Sequence, residues 1–331
     1  MSRIISESEL SVYLSGNEGS ARAKGLLRHQ WEHFPMAKGF HDALTGVREK
    51  RLCVSGTGVR VQFNPARIVS SAAKVDAKSI QERKCFLCEA NLPVEQKGLP
   101  FGADYIMLCN PFLIFPEHLT VPHLQHTDQR ISGRVGDMLA LADELSDFVI
   151  FYNGPQCGAS APDHFHFQAG NKGFLPLETE LQTILSESGI RVLHTSGLDV
   201  YRIRPFGANA LLMLADDSNA LVDCFEKAFA FLSALSPEKP EPMMNVLAWK
   251  VEERYCLVLF PRILHRPSQF FAEGEDNILL SPAAVDLGGV FITPLEKDFL
   301  KIEAEDIVDI LTQITVDDAT LTALCDSLSR L

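Results

Sequence analysis

One stretch limits what this chain can be: Asn153-Gly-Pro-Gln-Cys-Gly-Ala-Ser-Ala-Pro-Asp-His-Phe-His-Phe-Gln-Ala-Gly170. Its distal part, His164-Phe165-His166-Phe167-Gln168, alternates polar and aromatic residues. In a strand, successive side chains point to opposite faces. Phe165 and Phe167 then anchor one face in a core, while His164, His166 and Gln168 share the other. The loop just before is rich in small residues: Asn153, Gly154, Gly158, Ala159 and Ser160. Small residues let backbone N–H groups and a hydroxyl approach a phosphate closely. A neutral imidazole beside such a cradle can attack phosphorus and form a covalent intermediate. A half-buried strand with two incidental histidines would carry the same pattern, because short motifs also match by chance.

At 331 residues the chain fits one large domain or two modest ones. With 46% hydrophobic and 22% charged residues it can bury a substantial core. It has no apolar run of ~18 residues, so no membrane helix is expected. The segment Met1–Leu10 lacks the apolar region of a secretion signal, which points to a soluble, cytoplasmic protein. A net charge of −13 argues against a nucleic-acid polymer as partner. It leaves room for a small anionic ligand, for which a few local cations suffice. Eight cysteines in an intracellular chain read as buried thiols or metal ligands rather than a disulfide frame.

Residues 1–45 read as helical. Lys50–Val54 and Val59–Phe63 read as a hairpin around Ser55-Gly-Thr-Gly58, because turn glycines separate β-branched runs. A polar loop follows to Lys84. Asp104–Cys109 and Phe112–Phe115 read as neighbouring strands split by Asn110-Pro111. Ile131, Val135, Met138, Ala142 and Leu145 recur at helical steps within 127–147. Phe148–Tyr152 and His164–Ala169 read as an antiparallel pair. Beyond them the pattern gives a helix at 177–188, two strands within 191–214 around Gly207, and a helix at 219–235. Strands at 243–249 and 255–260 precede two closing helices. Phe112–Pro122 and Cys256–Pro267 echo one another, each an apolar run followed by Phe-Pro, a charge, a histidine and a proline. The echo suggests a duplicated α+β unit, divided as 1–200 and 201–331.

Cys85-x-x-Cys88 can supply two thiolates to one ion. Four-coordinate zinc needs two more ligands, for which His118 and His164 are preferred, with His123, His126 and Cys109 as competitors. A thioredoxin-like redox role would want a helix directly after the pair, where Asn91-Leu-Pro93 stands instead.

Together these pieces resemble the HIT superfamily, in its galactose-1-phosphate uridylyltransferase, dinucleoside-polyphosphate phosphorylase and sugar-nucleotide phosphorylase branch. Cys85-Phe-Leu-Cys88 with Asn91 looks like the zinc knuckle, and Phe115-Pro-Glu-His118 like the segment supplying its third ligand. Gly158-Ala-Ser160 with Pro162 looks like the phosphate loop. His164-Phe-His166-Phe-Gln168 looks like the active-site strand, and Asn64-Pro-Ala-Arg67 like a substrate-contacting segment. The motif order is the family's order, and the close match covers 64–170.

The resemblance implies an α+β fold of two HIT-like repeats, each an antiparallel sheet with packed helices. The first repeat would carry the site and the second would be a degenerate copy. It implies that His166 attacks the α-phosphorus of a nucleotide substrate, with Gln168 and Ser160 stabilising phosphate charge. A neighbouring backbone carbonyl would fix the His166 tautomer. His164 would complete a zinc site with Cys85, Cys88 and His118. Arg67, Asn153 and Gly158 would bind substrate, joined from the second half by Arg262, His265 and Arg266. The small-residue stretch Ser281–Gly289 could line the same site. The substrates implied are a nucleotide or nucleotide sugar, with phosphate or a sugar phosphate as acceptor; a homodimer is left open. Gln168, where the hydrolase branch tends to have histidine, favours transfer over hydrolysis. Phe167 resembles the sugar-nucleotide phosphorylases more than the uridylyltransferases, which have glycine there. Asp163 departs from the family's spacing by adding one residue before His164. The competing functions are a nucleotide hydrolase of the same fold and a non-catalytic, zinc-stabilised nucleotide-binding protein.

Overall fold

Ser55 and Gly56 both take positive φ, 50° and 78°, which closes a tight two-residue hairpin between β1 (Arg48–Val54) and β2 (Thr57–Phe63). The expected turn residues Thr57 and Gly58 already belong to β2. A computed structural model describes the chain over residues 3–16, 18–68 and 77–329. Residues 69–76 of the expected polar loop lie outside the described residues.

The first half supplies β3 (Gly98–Phe101), β4 (Tyr105–Cys109), β5 (His118–Pro122), β6 (Phe148–Asn153) and β7 (His166–Asn171). The second supplies β8 (Ile190–His194), β9 (Leu198–Ile203), β10 (Ala210–Ala215), β11 (Met244–Val251) and β12 (Arg254–Pro261). They form one ten-stranded sheet in the order β3-β4-β5-β7-β6-β11-β12-β10-β9-β8. Read from either edge the arrangement is the same, with the last strand of each half inserted between its third and fourth. Each half places a helix between those third and fourth strands, Val135–Glu144 and Ser218–Leu235. The halves join where β6 pairs antiparallel with β11, Asn153 opposite Asn245. The expected α+β fold of two repeats, each an antiparallel sheet with packed helices, is what the chain adopts.

Several local expectations are corrected. Phe112–Phe115 forms no strand, because Asn110-Pro111 and Pro116 interrupt any ladder; pairing begins at His118. Phe115 is instead buried by packing over Gly170, where a Cβ would lie 2.3 Å from its ring. Three strands, not two, occupy 190–215, with Phe206 and Gly207 at positive φ between β9 and β10. The helix expected over 127–147 spans only Val135–Glu144, which leaves 127–134 irregular, with a turn between Ile131 and Arg134. The Phe-Pro echo links segments that do not correspond. Phe115-Pro116 lies in no strand and precedes the third strand of its half, whereas Phe260-Pro261 ends the fifth strand of its own.

One sheet face is covered by helices Gly19–His33, Val135–Glu144, Ser218–Leu235 and Asp318–Leu328, whose apolar stripes share one core with Phe165 and with Phe167 and Ala169 of β7. On the other face, the second half is sealed by the β1–β2 hairpin and helix Ala304–Ile314. β13 (Val290–Thr293) pairs parallel to β2 in this cover. Beneath it Trp249, Cys256 and Val258 are fully packed. The same face of the first half stays partly open, and the site lies there. Among the described residues no helix is long and apolar enough to cross a membrane.

Candidate active site

β7 lies between β5 and β6, so its side chains are placed by pairing on both edges. Phe165 and Phe167 are buried in the helical layer, as their alternation requires. His166 and Gln168 emerge on the opposite face and line a cavity of ≈ 670 Å³, a size typical of small-molecule sites. His166 Nδ1 lies 2.9 Å from the backbone oxygen of His164, to which it donates. This fixes the tautomer with the proton on Nδ1 and leaves Nε2 with a free lone pair. Burial drives the imidazole down to about 4, so the ring is neutral at physiological pH.

Gln129 was not singled out by the sequence. Its amide nitrogen donates to the backbone oxygens of Asn153 (3.1 Å) and His166 (3.0 Å), and its oxygen accepts the His166 N–H (2.8 Å). It thereby clamps the end of β6 to the start of β7 from a fully buried position. Nothing in its sequence context distinguishes it from a surface glutamine.

His118 is 1% exposed and takes a role other than the expected metal ligand. Its Nδ1 accepts the Ile114 N–H at 3.3 Å, and its Nε2 lies 3.0 Å from Gln168 Oε1. The first contact puts the proton on Nε2, which donates to Gln168; Asn110 Nδ2 donates to the same oxygen at 3.3 Å. With its oxygen taken twice, Gln168 has its amide N–H groups left for a ligand acceptor. Burial, reinforced by Arg67, holds His118 down to about 3 and keeps it neutral.

The metal-type cluster is Cys85, Cys88, His126 and His164, with all four ligand atoms within 4.8 Å of one another. His126, a competitor in the sequence reading, stands where His118 was expected. His118 is the first residue of β5, on the side facing Gln168, whereas His126 lies beyond the strand and reaches the thiols. Cys85 Sγ and Cys88 Sγ lie 3.2 and 3.6 Å from His164 Nδ1, and Cys88 Sγ lies 3.1 Å from His126 Nδ1. Bond lengths for a tetrahedral thiolate–imidazole site give ligand–ligand edges of about 3.3–3.8 Å; the sulfur–nitrogen separations of 3.1, 3.2 and 3.6 Å come within about 0.2 Å of that range, so the donor set fits with small shifts. His164 Nε2 donates to the His123 backbone oxygen at 2.7 Å, which turns the Nδ1 lone pair toward the thiols. Burial opposes a thiolate at Cys85, yet its bond to His164 pulls it down to about 6. Burial and the nearby Cys85 push Cys88 up to about 11. Cys109 lies elsewhere, lining the cavity with its thiol raised by burial.

The other expected residues divide. Arg67, Asn153, Gly158, Ser160, His265 and Arg266 all line the cavity, and so do Ser281, Ala283, Val285 and Asp286 of the small-residue stretch. Asn153 is half committed, because its Oδ1 accepts from Asn245 Nδ2 (2.7 Å) and the Ala284 N–H (2.9 Å). Gly158 has φ 97°, and a Cβ there would lie 2.5 Å from that of Ala283. A larger residue would therefore separate the loop from the second half. Arg266 rests 4.0 Å over the Phe270 ring and donates from Nε to Ser281 Oγ. His265 is pushed down to about 4 by burial and its arginine neighbours.

Arg262 does not line the cavity. It is 4% exposed and donates to Asn245 Oδ1, Pro282 O, Leu264 O and His265 O. Its role is to hold the two second-half segments that do reach the cavity. Among the described residues the lining carries Arg67, Arg83 and Arg266 against the single carboxylate of Asp286. The cavity is thus locally cationic in a chain of net charge −13.

Comparison with known proteins places this geometry in context. Residues 26–171 match the model of a domain of unknown function (DUF4922), and residues 179–330 match the GDPGP1-like, C-terminal domain. No curated protein matches the chain significantly. The crystal structure of yeast Ap4A phosphorylase Apa2 is similar, with 17% identity, 85% of this chain and 94% of that chain covered, and a TM-score of 0.55. The same yeast enzyme in complex with AMP gives 17% identity, 87% and 96% coverage, and a TM-score of 0.56. A uridylyltransferase structure matches more loosely, at 15% identity over 83% of this chain and 99% of that chain, with a TM-score of 0.41. At these identities the likeness to the yeast enzyme is one of fold.

Proposed function

We propose that the protein is a nucleotidyltransferase or phosphorylase acting on a nucleoside diphosphate sugar or a dinucleoside polyphosphate through a covalent nucleotidyl-histidine at His166. The observation that carries this reading is the neutral His166 ring, its Nδ1 tied to the His164 carbonyl, on the wall of a cavity lined by three arginines. In the first step Nε2 attacks the α-phosphorus. The N–P bond forms as the bond to the leaving phosphate oxygen breaks, and the sugar phosphate or nucleotide departs. Positive charge that develops on the imidazole is relieved through Nδ1–H and the carbonyl that accepts it. The Gln168 amide, aimed by His118 and Asn110, donates to a non-bridging oxygen. In the second step an oxygen of inorganic phosphate or a sugar phosphate attacks the same phosphorus, and the N–P bond breaks to regenerate His166. Ser160 and the Gly158 backbone would contact the departing or entering phosphate.

Cys85, Cys88, His126 and His164 would hold zinc, which supplies structural constraint. That constraint would hold His164 in place, and the His164 carbonyl, by accepting from His166 Nδ1, sets the His166 tautomer. A yeast enzyme of similar fold, whose structures hold AMP and Ap4A, supports a nucleotide substrate. We place the division between the two units in the segment joining β7 and β8. A cut at 200/201 would pass through β9.

The test is a screen of purified protein against nucleotide sugars and dinucleoside polyphosphates, with phosphate, a hexose phosphate or no acceptor. Acceptor-dependent turnover, yielding a nucleoside diphosphate when phosphate is the acceptor, is expected. Release of nucleoside monophosphate without an acceptor would make the protein a hydrolase. No turnover of any of these substrates would overturn the reading.

A further inference from the structure

Asp163, the residue that lengthens the loop before His164, faces two ways. Its Oδ1 accepts Arg83 Nη2 at 2.6 Å, and its Oδ2 lies 3.7 Å from His126 Nε2. Both members of the Arg83–Asp163 pair are largely shielded, with side chains 24% and 20% exposed. The Arg83 guanidinium also rests 4.9 Å over the Phe86 ring, and its Nη2 lies 3.5 Å from the backbone oxygen of Ser160. Three contacts therefore fix the group against the small-residue loop, on the wall of the cavity that holds His166. Its second terminal nitrogen, Nη1, is buried without a hydrogen-bond partner. A buried cationic donor left unmade is costly, and a bound oxyanion removes that cost. Nothing in the sequence marks Arg83 out from the charges around it, Glu82 and Lys84.

We propose that Arg83 is a phosphate-binding residue of this cavity and that Asp163 aims it. The inference rests on the nucleotide reading of the same site and adds a residue to it. One edge of the guanidinium is held by Asp163, and Nη1 is free to donate to a non-bridging phosphate oxygen. The extra loop residue is then an anchor for the cation, placed between the metal-type cluster and the ligand. Asp163 is a positioning residue, since it acts through Arg83.

The experiment is calorimetric titration of the full chain with the common nucleoside 5′-diphosphates and the matching nucleosides. Wild type is compared with Arg83→Gln, Arg83→Lys, Asp163→Asn and the Arg83→Gln/Asp163→Asn double variant, with metal content measured for each. Arg83→Gln is expected to weaken diphosphate binding roughly 10- to 100-fold, the range of a charge-assisted hydrogen bond. Nucleoside binding and metal content should stay near wild type. Arg83→Lys should recover part of the loss, because an ammonium supplies charge without the planar fork. Asp163→Asn should weaken diphosphate binding less, and add nothing in the Arg83→Gln background.

Unchanged diphosphate affinity in Arg83→Gln would overturn the proposal. So would an equal loss for nucleosides, an additive double variant, or a wild type that binds no diphosphate. The two readings separate cleanly. Acceptor-dependent turnover with normal affinity in Arg83→Gln sinks this inference alone. A diphosphate-specific loss in a protein without turnover sinks the catalytic reading alone.

Discussion

Two histidines of similar local context, His118 and His126, end up with unrelated tasks. His126 faces Cys88 across 3.1 Å, and His118 faces Gln168 across 3.0 Å. Replacing each by alanine separates the tasks. His126→Ala should lower a zinc content of about one per chain, together with thermal stability. His118→Ala should keep the metal and slow transfer roughly 10- to 100-fold, with little change in KM, because it frees Gln168 to rotate. Loss of zinc in His118→Ala would contradict the assignment. The pH dependence follows from His166. Its pKa is depressed to about 4 by burial, so lowering the pH removes the Nε2 lone pair only near that value. The transfer rate should be flat from about pH 5.5 to 8 and fall tenfold per unit below about 4; an acid limb near 6.5 would contradict it. At this scale the His-x-His-x-Gln strand was legible because period-2 alternation alone sorts side chains onto faces. The third member of the metal-type cluster was not, since spacing says which histidines are near the cleft but not which ring reaches the thiols.

At the scale of elements, β7 is held in place by more than its ladders. Gln129 bridges β6 and β7 from a loop that the helical stripe of the sequence includes. Ile131 fits that stripe, but the helix begins only at Val135. Gln129→Ala leaves the His166 N–H and two carbonyls without their side-chain partner. It should cost about 2–3 kcal/mol, seen as a lower urea midpoint with an unchanged slope. A neutral result would mean that the β6–β7 ladder alone sets the strand. Phe112–Phe115 shows why an apolar run is ambiguous. Burial without pairing leaves the same sequence signature, and here flanking Pro111 and Pro116 exclude the ladder while Phe115 packs over Gly170. The hairpin and the Ser218–Leu235 helix were easier, because turn chemistry and a long 3.6-residue period act locally.

For the whole molecule, duplication was implied by the family resemblance, whereas the Phe-Pro echo that also suggested it joins segments that are not equivalent. Strand order, which sets equivalence, depends on long-range pairing that no local motif records. The repeats have diverged by face: one keeps polar residues over a cavity, and the other has Trp249, Cys256 and Val258 under a hairpin and a helix. The second half still contributes to the site through His265 and Arg266, whose loop is held by the buried Arg262. Arg262→Met removes the donor to four acceptors, of which Asn245 Oδ1 and Pro282 O are buried and worth about 1 kcal/mol or more each. Melting temperature should fall by several degrees, and affinity for nucleoside diphosphates should fall with it. An unchanged melting temperature would show that the second-half loops need no such tie.

The most direct measurement is the intact mass of the protein after brief incubation with nucleotide sugars in the absence of acceptor. The account predicts an added nucleoside monophosphate on the wild-type chain. The adduct should discharge when phosphate or a hexose phosphate is supplied, and should be absent from His166→Ala. An adduct that persists in His166→Ala, or acceptor-dependent turnover with no adduct on the wild-type chain under any quench, would contradict it.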